Sequence, residues 1–210
     1  NLALNSIFII IVVAYSLKII IRNKAWANDY ILFTTDVHVS TESAKSNTSA
    51  GGKMIEEANK LEALLKKEYP STDKLKEELE EETFLRQSVI DEITDNKNPK
   101  TAKKALQNKI NEMNKQALEY LKEAVRIHPN YVDALLLLGN AHYEYNKNYE
   151  GAVNAYARIL KINPKYDKAY TNMEIIFNNY DDFNKRIEYW KRINKINPNR
   201  FEPLYHLGNL

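Results

Sequence analysis

From about residue 101 to the end of the chain, apolar positions recur every three or four residues, the spacing that gathers them on one face of an α-helix. Ala117, Leu121 and Ala124 mark one such face, and Leu135, Leu138, Gly139 and His142 mark the next. Ala152 and Tyr156 follow, then Tyr170, Met173, Glu174 and Phe177, then Arg186 and Trp190. A last start, Leu204, Leu207 and Gly208, is cut off at Leu210. Upstream, Ala44 to Gly51 opens a helix that continues through Met54, Ala58, Leu61 and Leu65. Pro70 and Ser71 break it, Ser71 or Asp73 can cap a successor, and Lys74 to Ile93 reads as one helix. Asn96 to Pro99 breaks the chain again before helix resumes at Thr101. Nothing alternates with a period of two over a strand's length, so the fold class is all-α.

The faces fall into a repeat. Pro129, Pro164 and Pro198 each end a helical stretch, and they lie 35 and 34 residues apart. Proline has no amide donor and clashes with the preceding turn, so it closes the second helix of each unit. Gly139 and Ala152 are small where the two helices of a hairpin cross, and Tyr156 and Trp190 are large enough to plug the space behind. The middle unit carries one extra turn residue (Asn146, Lys147, Asn148, Tyr149). The next has Glu174 and Arg186 where small residues are usual, and these either pair across the crossing or point to solvent. Over Val132 to Leu210 the chain resembles the tetratricopeptide repeats, two-helix units of 34 residues. That resemblance implies an α-solenoid whose concave side binds a protein or peptide. The first repeat would open near Ala44 and close with Gln116 to Ile127, with a helical insertion between. The expected organisation is thus a first repeat-like unit over 43–131 and further units over 132–210, the last one truncated.

Leu2 to Ile21 differs from the rest. Thirteen of its twenty residues are Leu, Ile, Val or Phe, and Lys18 is its only charge. At about −0.3 to −0.6 kcal/mol each near a bilayer centre they outweigh Asn5 and a lysine able to snorkel. Twenty helical residues also match a hydrocarbon core of about 30 Å. The reading is a transmembrane helix over 1–22, with a buried soluble helix or strand as the alternative. Residues 23–42 then form a juxtamembrane connector, Trp26 and Tyr30 sitting at headgroup depth. The basic flank Lys18, Arg22 and Lys24 would place the repeats in the cytoplasm.

After the span come Arg22, Asn23 and Trp26, then the pair Leu32-Phe33, then Ala44-Lys45 leading to Gly51. This order of landmarks followed by repeats resembles the transmembrane and tetratricopeptide-repeat family of protein O-mannosyltransferase-like membrane proteins, including bacterial relatives. The resemblance implies that the chain is the C-terminal region of a multi-span glycosyltransferase. The catalytic loops of that family lie far upstream, so no catalytic residue carries over. It also implies repeats on the periplasmic or lumenal side, against the charge of the flank.

Composition narrows the chemistry. A charged fraction of 28% and a net charge of +2 give no excess to attract nucleic acid. Without cysteine there are no disulfides, thiolate metal sites or cysteine nucleophiles. His38, His128, His142 and His206 are scattered without a ligand partner at helical spacing, so no metal site or cofactor is expected. Asp181-Asp182 reads as a helix-joining turn, and Gly51-Gly52 lacks the lysine of a phosphate loop. Asn47-Thr48-Ser49 is either a glycan acceptor in a eukaryotic secretory setting or a solvent-facing stretch of helix. The acidic run Lys74 to Glu82 reads as a solvated face, or else a docking patch for a basic partner.

The candidate site is therefore the concave groove: Asp133, Leu136, Asn140, Tyr143 and Glu144 on one helix, Lys168, Thr171, Ile175 and Asn178 on the next, and Tyr205 on the last. Asparagine and tyrosine there can hydrogen-bond an extended peptide backbone without requiring one sequence. The expected function is a membrane-anchored interaction module presenting a protein to a glycosyltransferase domain, with no catalysis in this fragment. The alternative is a membrane-tethered scaffold or assembly factor.

Overall fold

The computed structural model describes residues 2–95, 97–179 and 182–209, except the side chains at 2–4, 21, 22, 24 and 25. Every regular element among them is helical. α1 (Leu2–Asn23) leads through a 3-10 turn (Lys24–Ala27) to α2 (Asp29–Val39) and α3 (Ala44–Leu65). Then come α4 (Thr72–Glu82), α5 (Gln87–Thr94) and the long α6 (Pro99–Ile127). The remainder runs α7 (Val132–Glu144), α8 (Tyr149–Ile162), α9 (Asp167–Asn178), α10 (Phe183–Ile196) and α11 (Phe201–Gly208).

Helix starts follow the capping chemistry of the sequence. Asn28, Ser43, Ser71, Asn98, Asn148 and Asp182 each accept a backbone N–H from the first turn of their helix, satisfying donors that have no partner there. Asp182 is thereby the cap of α10, while Asp181 lies outside the described residues. At the other ends the proline turns link successive units. The Pro129 carbonyl accepts from Arg158 of α8 at 2.6 Å. The Pro164 carbonyl accepts from the Tyr170 hydroxyl and from Asn197, both at 3.1 Å. The extra residue of the α7–α8 turn is absorbed by Lys147 in the left-handed region (φ 50°).

Packing depends on close backbone approach at two glycines. A Cβ at Gly51 of α3 would stand 2.8 Å from Leu121 Cγ and 3.1 Å from the Ala117 carbonyl of α6. One at Gly139 of α7 would overlap the Tyr156 ring of α8. Around these crossings the core forms two clusters. One joins the C-terminal half of α6 to α7–α10, with Tyr156, Tyr170, Phe177 and Trp190 fully buried. The other joins α3 and the N-terminal half of α6 to α4 and α5 through Leu61, Leu64, Leu75, Leu79 and Leu106. In the last hairpin Phe177 meets Trp190 edge-on at 4.8 Å, and His206 of α11 stacks on Trp190 at 4.5 Å.

Several expectations change. The single helix over Lys74–Ile93 is broken between α4 and α5. The Thr83 hydroxyl bonds the Leu79 carbonyl at 2.6 Å, and the buried Glu57 carboxylate of α3 captures the Phe84 N–H, pulling the chain out of helical register. Asn47 and Thr48 are not solvent-facing: both are buried, and the Asn47 amide donates to Thr41 and Ser43 carbonyls at 2.7 and 3.0 Å. Glu174 meets His206 at 3.1 Å rather than Arg186. Tyr30 does not sit at headgroup depth; it packs against the second cluster, where burial and nearby Glu57 raise its hydroxyl pKa to about 12.

The membrane expectation is overturned. Among the described residues no helix is long and apolar enough to cross a membrane. The span over 2–21 is withdrawn, and with it the membrane localisation and the periplasmic or lumenal placement of the repeats. Residues 2–4 and 21, and the basic flank at Arg22 and Lys24, have side chains outside the described set. α2 packs against α3, and Val37 of α2 is buried.

The glycine crossings generate a pair of predictions of opposite sign. Gly139→Ala gains about 1 kcal/mol of helix propensity but forces the Tyr156 ring from its place, which costs about 1–3 kcal/mol or more. Urea unfolding should show a net loss. Gly208→Ala, with nothing within 4 Å of its new Cβ, should be neutral or more stable.

Candidate functional site in the groove of the repeats

α7 and α9 stand side by side with α8 behind them, and the space they leave is a cavity of about 180 Å³. Asn140, Tyr143 and Glu144 of α7 line it together with Ile175 of α9, Tyr156 of α8 and Asn172 of α9. Four residues expected in the groove thus come together. Asp133, Lys168, Thr171, Asn178 and Tyr205 are exposed and do not line this cavity, and Leu136 packs half-buried against the core.

The floor of the cavity is a hydrogen-bonded triad. Tyr156 runs from beneath Gly139 to donate its hydroxyl to Asn140 Oδ1 at 2.7 Å. Asn172 Nδ2 donates to the same oxygen at 2.9 Å. At the rim Asn179 Nδ2 donates to the Tyr143 hydroxyl at 3.2 Å, tying α9 to α7. Burial drives the Tyr156 hydroxyl well above the ordinary phenol value, so it stays a neutral donor at any physiological pH. Asn172 and Asn179 were missed in the sequence, because helical spacing alone does not choose between adjoining stripes of one helix. Thr171, Ile175 and Asn178 form one stripe of α9 at i, i+4 and i+7, and the structure turns the helix so that the adjoining stripe of Asn172 and Ile175, with Asn179 at the C-terminal cap, faces α7.

Charge enters at the lower rim. The Glu144 carboxyl is raised above the usual carboxylate range, by lost hydration first and then by Glu62 of α3. Tyr145 is raised more strongly, again chiefly by burial and then by Glu144 and Glu62, and its hydroxyl donates to Asn59 Oδ1 at 2.9 Å. Below the groove His142 packs under Gly151 with its Nδ1 buried and unpartnered. Burial and then Lys122 lower its pKa, so it is neutral in the fold. Among the described residues no three His, Asp or Glu side chains gather as a metal site. The arrangement offers polar recognition over a rigid floor, beside one apolar contact, Ile175.

A tetratricopeptide repeat family profile matches residues 110–173, from the middle of α6 to the middle of α9 and across the whole of the triad. The chain contains tetratricopeptide repeats, and the expectation of an all-helical repeat protein holds. The residues that resemble the O-mannosyltransferase-like family, 22–51, lie outside the match, which supports neither that family nor a bacterial origin. No curated protein matches the chain.

Two predictions follow from this geometry. Tyr156→Phe leaves the ring in place but removes the donor to Asn140, and should cost about 1–2 kcal/mol in denaturant unfolding. For His142 the unfolded pKa is about 6.5 and the folded value lies lower. Stability from keeping it neutral is complete above about 6.5 and is lost as pH falls from there through the folded value. Thermal unfolding between pH 7.5 and 5 should therefore fall less steeply in His142→Gln than in wild type.

Proposed function

We propose that this chain is a protein-interaction module that holds an extended peptide segment along the groove between α7 and α9. Tetratricopeptide repeats act generally as protein-binding units, and the observation that supports the groove in particular is the Asn140–Tyr156–Asn172 triad. Its oxygens and amides are fixed in place before any ligand arrives, so a bound backbone would not have to order them. Ile175, exposed among these polar groups, gives a side chain of the partner one apolar contact. The units we assign are a first repeat from α3 and α6, interrupted by α4 and α5, followed by α7 with α8 and α9 with α10. The role is binding rather than catalysis. Nothing in the fold adds to the junction resemblance, so the glycosyltransferase connection rests on those residues alone.

Selection from a random peptide display library tests the reading. Peptides enriched on the wild-type chain should bind on the order of ten-fold or more weakly to Ile175→Glu at unchanged melting temperature, and to Asn172→Ala, which also gives up its bond to Asn140, when compared well below its melting temperature. Selected peptides that bind both variants as well as wild type would remove the groove as the site.

A further inference from the structure

Where Glu57 pulls the chain out of helix, Thr83 and Arg86 have extended backbone at either end of the link from α4 to α5. Extended backbone sends successive side chains to opposite sides, so Leu85 is buried and Arg86 is exposed. Facing this link, α2 presents a stripe of Ile31, Thr34, Thr35 and His38 at i, i+3, i+4 and i+7. Together with Val89 of α5 and Lys109 of α6 they enclose a cavity of about 490 Å³, a size typical of small-molecule sites. It shares no residue with the groove between α7 and α9.

Its chemistry is one-sided. No Asp or Glu lines it, whereas Glu144 lines the groove, and the recess between α4 and α5 holds Asp73, Asp91 and Asp95. Lys74 and Lys76 of α4 are each held by a carboxylate, at 2.7 and 2.6 Å, but Arg86 has no carboxylate partner among the described residues. Lys109 adds a second positive charge, shared with Glu112 at 3.0 Å. Thr34 spends its hydroxyl proton on the Tyr30 carbonyl at 2.6 Å, while the Thr35 hydroxyl has no partner among the described residues and can donate. The rest of the wall is largely apolar, with Ile31, Leu85 and Val89.

We propose that this cavity binds a small amphipathic anion, its carboxylate or phosphate head on Arg86 and its hydrocarbon body along Ile31, Leu85 and Val89. The planar guanidinium fork matches two oxygens of either head, and Lys109 and Thr35 supply a further charge and a further donor. A neutral ligand would forgo the charge, and a cation would meet two of its own sign. The site is independent of the groove and adds a ligand to a chain otherwise read as binding peptide. It was hidden in the sequence because Lys74 to Ile93 reads as one helix, which has no extended link to set Leu85 and Arg86 against α2.

The full chain is titrated with octanoate, and separately with octyl phosphate, while the Ile31 and Val89 methyl resonances are followed by NMR. Octanol supplies the tail without the head, and inorganic phosphate the head without the tail. Saturable shifts are expected with octanoate or octyl phosphate, and the tighter of the two identifies the head. Octanol and inorganic phosphate should each bind on the order of ten-fold or more weakly. Arg86→Gln, which removes no bond of the fold, should weaken the anions on the order of ten-fold at unchanged melting temperature. Val12 and Val13, exposed on α1, report adsorption to that apolar helix. The proposal is overturned by shifts confined to those two valines, by no saturable shift at Ile31 or Val89, by octanol binding as tightly as octanoate, or by undiminished binding in Arg86→Gln.

Discussion

The structure depends on two helices coming close enough that only hydrogen fits between them. At Gly139 the backbone of α7 rests on the ring of Tyr156, and at Gly51 the backbone of α3 rests on Leu121. Interiors packed to this density have no slack for a methyl group. The approach does more than stabilise a hairpin, because it sets the depth at which the Tyr156 hydroxyl emerges. That hydroxyl meets Asn140, which meets Asn172 of the following hairpin. Helix spacing within one unit is thereby converted into hydrogen-bond geometry between two units, and the groove inherits its shape from the core.

The same logic explains how polar groups tolerate burial here. Tyr156, Tyr170 and Tyr69 bury their rings and give their hydroxyls to Asn140, Pro164 and Leu64 oxygens respectively. The proline that ends a helix leaves a carbonyl that cannot continue the ladder, and the next unit supplies its partner. Arg158 serves Pro129, and Tyr170 with Asn197 serves Pro164. Adjacent repeats are joined by satisfying each other's helix ends as well as by apolar contact, which suits a nearest-neighbour architecture.

Much of this was legible in the sequence because it is periodic. Pro129, Pro164 and Pro198 mark helix ends, and Gly139, Tyr156 and Trp190 sit at the crossings their sizes implied. Where the sequence misled, the deciding interaction was non-local. Lys74–Ile93 has helical composition throughout, and only Glu57, some 27 residues earlier in the chain, breaks it at Phe84. Asn47 and Thr48 read as surface because their types usually are, yet Asn47 is held by carbonyls of the preceding turn. For Glu174 and Arg186 the sequence left open a pair or a solvent-facing position, and the Glu174 carboxylate instead meets His206 of α11. Asn140, Tyr143 and Glu144 of α7 share a recess with Ile175 of α9, while Asn172 rather than Thr171 lines it from α9, because the stripe that faces the recess depends on how the helix is rotated in its seat. The apolar run in α1 satisfied a composition rule that the described structure did not bear out.

Glu57 has one more consequence. The excursion from α3 to α6 is long, yet it is moored to α3 by a single carboxylate that also pairs with Lys60 at 2.9 Å. Outside that mooring and the buried face of the second cluster, the charges of α4 and α5 pair locally, Lys76 with Asp91 and Glu78 and Glu82 with Lys67 of the preceding turn. Such a segment is free to accumulate substitutions, and even to change length, while the frame it interrupts stays fixed. It is the part of the molecule where divergence between relatives would be tolerated first, and where a new surface could be acquired without disturbing the old one.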